Sequence, residues 1–164
     1  MRRIDPELEA ALATQLELRR QALARGARRV GWKLGMGDRE SIGGNIAVGF
    51  LTTATLLPTN SIYTPEPGSE LCADAEAAVE LAAPIDPAGS VDAAEASIGR
   101  YAAALELVDL RPLQGEPAAV VKANVFHRAV VFAPLDDPPH PMLEVSALLN
   151  GREAAAGRWP PDIP

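Results

Sequence analysis

The first apolar pattern along the chain is that of an amphipathic helix. Asp5-Pro6-Glu7 supplies an N-cap residue, a proline suited to the first turn and an acid near the positive end of the helix dipole. An apolar stripe with helical spacing follows, formed by Leu8, Leu12, Leu16 and Leu23. We therefore predict that residues 1–28 form an N-terminal helical segment, which packs on the domain or on a partner subunit.

A strand pattern comes next. Three bulky residues alternate with small or charged ones, in the order Val30, Gly31, Trp32, Lys33, Leu34 and Gly35. Such a strand has one bulky face and one nearly bare face, and Lys33 lies on the bare face between two glycines. Lys33 is either a solvated lysine on an edge strand or a lysine directed into a cleft. Further strands are predicted at residues 46–51 and, briefly, at residues 62–63.

Residues 73–83 allow two structures. Their alanine-rich composition favours a helix, in which Glu76 and Glu80 form an exposed i,i+4 pair. In a strand, by contrast, Asp74 and Glu76 point to the same face. Glu106 lies in the apolar run 104–108, where a buried acid is costly unless it has a partner. Three carboxylates from two neighbouring strands would suit a hard divalent cation such as Mg²⁺.

The second half of the chain contains three clearer signals. The spacing in residues 91–95 is that of a capping box and predicts a helix from there to about Ala103. Residues 105–110 are then expected to form a strand. Asn150-Gly151 is a strong two-residue hairpin signal between strands at residues 143–149 and 152–157.

Composition narrows the class of protein. The chain has 164 residues and a net charge of −7, without a dense cluster of basic residues, which argues against nucleic acid as a partner. The single cysteine, Cys72, excludes an intramolecular disulfide and a thiolate metal site. No apolar run is long enough to cross a membrane, so a cytoplasmic protein is expected. His127 and His140 are too isolated for a metal pair and are interpreted as structural or surface residues.

Several blocks resemble the hydratase/decarboxylase branch of the fumarylacetoacetate hydrolase superfamily, the 2-oxopent-4-enoate hydratases and 4-oxalocrotonate decarboxylases of aromatic meta-cleavage pathways. Each block is similar to a short family motif: Gly-x-Lys-x-Gly, Gly-x-Leu, Glu-x-Glu, Ala-Leu-Glu-Ile-Val-Asp-Ser-Arg and Val-Ala-Asp-Asn. The corresponding residues here are 31–35, 49–51, 74–76, 104–111 and 121–124. The fourth block is the most specific, and the resemblance extends from about Arg19 to Arg158.

The resemblance implies an α+β fold: a mixed β-roll or partial barrel with an N-terminal helix and one or two further helices. Residues 29–164 would form an incomplete β-roll domain, in which residues 73–81 are a strand. The resemblance implies Asp74, Glu76 and Glu106 as ligands of Mg²⁺ or Mn²⁺, Lys33 as a catalytic residue, and Leu107 and Asn124 as substrate-binding residues.

Three functions follow from the resemblance. The first is a hydratase of 2-hydroxy-2,4-dienoates, the second a 2-oxo acid decarboxylase of the same branch. The third is a truncated, non-catalytic subunit that assembles with a related chain; a homo-oligomer is equally open. Four departures bear on this choice: Asp74 in place of Glu, Leu110 in place of Ser, the bulky residues 125–127 after Asn124, and an end at Pro164 before the family's further strands.

Overall fold

The computed structural model describes residues 5–35, 46–111, 116–135 and 143–159. Helices and strands alternate irregularly along these residues, as expected for an α+β chain. The order is α1 (Pro6–Ala24), β1 (Arg29–Gly35), β2 (Ala47–Thr52), β3 (Leu71–Leu81), α2 (Val91–Glu95), β4 (Ile98–Asp109), α3 (Pro117–Lys122), β5 (His127–Phe132), β6 (Leu143–Leu149) and β7 (Arg152–Trp159). His140 lies outside the described residues.

Helix α1 begins as the sequence predicts but buries a different face. The Asp5 carboxylate accepts a hydrogen bond from the backbone N–H of Glu7 at 2.8 Å, which caps the helix. Ala11 and Gln15 are buried, whereas two of the predicted stripe residues, Leu12 and Leu16, are about 40% exposed. The Gln15 amide donates to the carbonyls of Val48 and Val121, at 3.0 and 2.8 Å. The helix therefore packs on the domain through β2 and α3.

Strands β1 and β2 form an antiparallel ladder in which Trp32 faces Phe50 and Lys33 faces Gly49. The bulky face of β1 is directed outward: Trp32 is 52% exposed, and the Arg19 guanidinium lies 4.9 Å from its ring centroid. The size of Trp32 and the alternation in β1 would suggest a core residue, but Trp32 lies at the surface. The nearly bare face, which carries Lys33, is the one directed inward, since only 12% of the Lys33 side chain is exposed.

A three-stranded sheet has the order β3-β4-β5. Residues 73–81 are part of β3, so the strand is confirmed and the helical alternative is wrong. The helix expected up to about Ala103 is also wrong, because α2 ends at Glu95 and β4 begins at Ile98. Backbone hydrogen bonds from Ala82 to Ser97 and from Ala133 to Ala103 show why: sheet pairing overrides the helix propensity of these alanines. Residues 62–63 form no strand.

The hairpin of β6 and β7 confirms the turn signal in the sequence. Leu149 pairs with Arg152, so that Asn150 and Gly151 form a two-residue loop. Both loop residues have positive φ, 53° and 76°, which is the backbone of a type I′ turn. Asparagine and glycine adopt this conformation at the lowest steric cost.

The chain divides into two compact units, Met1–Ala73 with Glu106–Val130, and Asp74–Leu105 with Val131–Pro164. The first unit contains an apolar cluster of Ala47, Val120 and Val125, against which Phe126 packs. The second unit contains the β6–β7 hairpin and most of β3. Within the described part of the chain, no helix is long and apolar enough to cross a membrane.

Candidate functional site

The candidate site lies in the first unit, around a left-handed turn between α3 and β5. Asn124, Val125 and Phe126 have φ values of 56°, 55° and 63°. Left-handed backbone is rare for a β-branched residue such as valine, and each such residue costs on the order of 1–3 kcal/mol. The packing of Val125 in the apolar cluster and a hydrogen bond from the Asp109 N–H to the Phe126 carbonyl at 3.0 Å hold the turn in place.

The Asn124 side chain fastens this turn to β2. Its Oδ1 accepts from the Phe50 N–H at 2.8 Å, and its Nδ2 donates to the Phe50 carbonyl at 3.0 Å. The side chain thereby imitates a neighbouring strand, and Asn124 is buried. Asparagine suits this position for two reasons: its amide makes both hydrogen bonds to Phe50, and it tolerates left-handed backbone better than most residues.

Lys33 reaches the turn by crossing over Gly49, its partner in the β1–β2 ladder. A Cβ atom at position 49 would lie only 2.7 Å from Lys33 Cγ and 3.1 Å from the Asn124 carbonyl oxygen. Beyond Gly49 the Lys33 ammonium donates to the Val125 carbonyl at 2.9 Å. The lysine is thus directed into the interior, which resolves the alternatives left open by the sequence.

Glu106 is the acid that Lys33 meets. Its residue is only 5% exposed, and Lys33 Nζ lies 2.6 Å from each of its two carboxylate oxygens. His127 Nδ1 lies 2.6 Å from Oε1 of the same carboxylate. The acid in the apolar run therefore has the partners that its burial requires.

His127 extends the network by one more residue. Its Nε2 lies 2.8 Å from the hydroxyl of Thr55. Backbone hydrogen bonds of 2.9 Å from Val130 to the Thr55 carbonyl and from Leu57 to the Val130 carbonyl hold Thr55 against β5. A continuous chain of polar contacts therefore runs from Thr55 through His127 and Glu106 to Lys33.

Glu106 is ionised at neutral pH. Burial by itself raises the pKa of its carboxyl, but the hydrogen bonds from His127 and Lys33, together with the positive charge of Lys33, lower it more. The net result is a pKa below the ordinary value. An ionised carboxylate only accepts hydrogen bonds, so Nδ1 of His127 carries a proton.

Asp109 and Arg111 fix the end of β4, three residues after Glu106. The Arg111 guanidinium contacts both oxygens of the buried Asp109 carboxylate and also donates to the Pro67 carbonyl and the Ser69 hydroxyl. The Glu70 N–H donates to the same carboxylate at 3.1 Å. These hydrogen bonds, those of Arg111 first, hold the pKa of Asp109 well below its usual range.

The residues predicted to form the site are distributed over the two units. Lys33, Glu106 and Asn124 come together around the left-handed turn, and Leu107 lies half-buried beside Glu106 on β4. Asp74 and Glu76 lie in the second unit, on β3, with exposed side chains. Among the described residues, no three His, Cys, Asp or Glu side chains are placed so that they could hold a metal ion.

Glu106 itself fits the chemistry of a hard divalent cation. A carboxylate offers about four lone pairs. Oε1 accepts from His127 and Lys33, whereas Oε2 contacts Lys33 alone among the partners that the described residues provide. The described residues thus leave one lone pair of Oε2 without a donor, and hydrogen-bonded carboxylates are usual metal ligands.

Sequence reasoning missed His127 and Thr55. A structural His127 agrees with its burial, but its contact with the Glu106 carboxylate could not be derived from the sequence. The sequence contains one signal for this contact: a buried acid needs a partner, and His127 lies at the start of an apolar run that follows Glu106 in the chain. Thr55 carries no such signal.

Comparison with known proteins supports the fold. No protein-family profile and no curated protein sequence matches the chain. Among solved structures, 4-oxalocrotonate decarboxylase from Pseudomonas putida G7 is similar in two forms, one complexed with magnesium and adipate and one with calcium and acetate. The magnesium form has a TM-score of 0.71 at 21% sequence identity, and the calcium form 0.70 at 22%.

The similarity covers 92% of this chain and 61% of the decarboxylase chain in both cases. The chain thus shares the fold of these decarboxylase structures, which confirms the α+β fold expected from the sequence motifs; the described strands form no closed barrel. It spans about three fifths of the length of the structures it matches.

Proposed function

We propose that the chain is part of a metal-dependent enzyme that adds water to a 2-hydroxy-2,4-dienoate of the 2-oxopent-4-enoate type. The observation that carries the proposal is the buried contact between Lys33 and Glu106, at 2.6 Å, within a fold shared with 4-oxalocrotonate decarboxylase. A buried ion pair is costly to maintain and contributes little to stability compared with apolar packing. A functional role explains its presence in this chain.

The proposed ligand set is Asp74, Glu76 and Glu106, with Mg²⁺ or Mn²⁺ as the cation. Oxygen ligands of this kind suit both ions. Glu106 is the member whose surroundings support the assignment, since it is ionised, oriented by two donors and left with a lone pair. When bound, the cation would supply a Lewis acid for the carboxylate and keto oxygens of a 2-oxo acid.

Lys33 has two tasks in this proposal. Its positive charge offsets the negative charge of the carboxylates, which would otherwise repel an anionic substrate. Its ammonium, held by the Val125 carbonyl, would act as the proton donor to the substrate. Leu107, which directly follows Glu106 on β4, is the proposed second substrate-binding residue. Asn124, whose amide is engaged with Phe50, acts on the substrate-binding region by shaping the turn.

Two other functions have an observation in their favour. The similar solved structures are of a decarboxylase, which is the observation in favour of loss of CO₂ from a 2-oxo acid. The exposure of Asp74 and Glu76 favours a non-catalytic chain that assembles with a related subunit. In either case we propose a cytoplasmic protein that forms a homo-oligomer or a hetero-oligomer.

Assays on the purified protein with Mg²⁺ separate these functions. A hydratase removes the dienol absorbance of 2-hydroxypenta-2,4-dienoate without releasing CO₂, whereas a decarboxylase releases CO₂ from 4-oxalocrotonate. Lys33→Met should abolish either activity, and Glu80→Gln, which removes only an exposed partner of Arg100, should retain it. Absence of metal-dependent turnover in the folded protein would contradict catalysis by this chain and favour the subunit function.

A further inference from the structure

We infer that His127 is a positioning residue, which fixes the orientation of the Glu106 carboxylate with the support of Thr55. The geometry of this chain by itself supports the hydrogen bond between His127 and Glu106. Its consequence for metal binding rests on the proposed function. In the sequence blocks that resemble the superfamily, His127 occupies one of the positions after Asn124 where small residues are expected.

The contact between His127 and Glu106 is short and shielded from water. Nδ1 and Oε1 are 2.6 Å apart, and the two side chains are 2% and 6% exposed. Hydrogen bonds to an ionised group are the strong ones, and water exclusion strengthens them further. His127 therefore restrains the rotation of the carboxylate about its last torsion angle.

Thr55 completes the arrangement from the other side of the ring. Nε2 of the His127 ring and the Thr55 hydroxyl are 2.8 Å apart, and a hydroxyl can either donate or accept in this contact. The same hydroxyl lies 3.3 Å from the Thr52 carbonyl, to which it can donate. Thr55 thus helps to fix the plane of the imidazole.

The backbone delivers both residues to this geometry. His127 is the first residue of β5 and follows the left-handed turn of residues 124–126 directly. Thr55 is bound to Val130, three residues further along β5, through its own carbonyl. The strained turn and the strand pairing together aim the ring at Glu106.

The restraint has a directional consequence. His127 engages Oε1, which also accepts from Lys33, so Oε2 is the oxygen with spare acceptor capacity. With His127 in place, the carboxylate presents Oε2 in one orientation while Lys33 stays in contact with both oxygens. Residues that orient a ligating carboxylate in this way typically change metal affinity by about 10- to 100-fold when they are lost.

The first experiment observes the ring itself and needs no metal. The chain has two histidines, so His140→Gln leaves His127 as the only imidazole. Nitrogen-15 NMR of this protein should show a proton on Nδ1, in a downfield and slowly exchanging signal. Adding Glu106→Gln should move that signal upfield. A ring protonated on Nε2 alone, or a signal that exchanges rapidly, would overturn the inference.

The second experiment measures Mn²⁺ affinity by calorimetry in three proteins. His127→Leu, which has no donor, should bind Mn²⁺ about tenfold more weakly or worse. His127→Asn should regain most of the affinity, because its Nδ2 can donate from nearly the same place as Nδ1. Equal affinity in all three proteins would overturn the inference. If the unaltered protein binds no Mn²⁺, the proposed function fails, while the ring signals still decide the position of His127.

Discussion

Gly49 and Lys33 face each other across the β1–β2 ladder, and the lysine side chain occupies the space that a Cβ at position 49 would take, 2.7 Å from Lys33 Cγ. Lys33 can therefore reach Glu106 because residue 49 has no side chain. The absence of a side chain on one strand thus sets the position of the charged group on the next.

Gly49→Ala should displace Lys33 and weaken its pair with Glu106. Overpacking of this kind costs about 1–3 kcal/mol in the free energy of unfolding, measured by urea denaturation. The matched control is Gly31→Ala on the neighbouring strand, where a Cβ would meet nothing within 4 Å. We expect Gly31→Ala to lie within about 0.5 kcal/mol of the unaltered protein. Equal losses in the two variants would contradict the packing explanation.

Lys33→Met should leave Glu106 as a buried charge without its cation. Removing one partner of a buried ion pair lowers the free energy of unfolding by about 3–5 kcal/mol. Glu106→Gln added to Lys33→Met should cost less than the two single changes summed, by about 0.5–3 kcal/mol, since the groups are in contact. Additive losses in this double-mutant cycle would show that the two side chains are not coupled in solution.

Asp109→Asn should remove a pH-dependent part of the stability. The pKa of Asp109 is lower in the folded chain than its ordinary value of about 3.9 in the unfolded chain, so its contribution is complete above about pH 4. The contribution is lost as the pH falls through the lowered folded value. Stability curves of the variant and the unaltered protein should therefore differ at pH 6 and converge in acid.

The control for this prediction is Glu80→Gln, whose exposed pair with Arg100 contributes little to stability. This variant should follow the unaltered protein at every pH. A constant difference between Asp109→Asn and the unaltered protein across the acid range would contradict the predicted linkage.

Asn124 allows the cost of its left-handed backbone to be separated from the value of its hydrogen bonds. Asn124→Gly loses both bonds to Phe50 but tolerates the positive φ, whereas Asn124→Ala loses the bonds and is strained, by about 1–2 kcal/mol more. Asn60, exposed and with a φ of 64°, is the matched position. There, alanine should be worse than glycine by a similar amount, while glycine itself should cost almost nothing.

Much of the fold follows from local sequence signals. The Asp5-Pro6 helix start, the alternation in β1 and the Asn150-Gly151 turn each depend on neighbouring residues alone, and each is confirmed. The helix predicted up to about Ala103 was wrong because the intrinsic preference of alanine for helix is weak compared with sheet pairing. The backbone hydrogen bond from Ala133 to Ala103 is part of that pairing.

The candidate site was only partly predictable, for a different reason. Lys33 and Glu106 could be singled out because a lysine among glycines and an acid among apolar residues are each anomalous. The partners of Glu106 depend on contacts between residues far apart in the chain, such as His127 with Thr55. The outward direction of Trp32, whose ring lies against Arg19 of α1, likewise could not be derived from the alternation in β1.

The most direct test of the proposed function is calorimetric titration of Mn²⁺ and Mg²⁺ into the purified chain and into Glu106→Gln. The proposal predicts a site of millimolar or tighter affinity that is lost in Glu106→Gln, and is weakened in Asp74→Asn and Glu76→Gln. Each variant must retain its helix and sheet content by circular dichroism. The absence of binding in the folded protein, or unchanged affinity in Glu106→Gln, would contradict it.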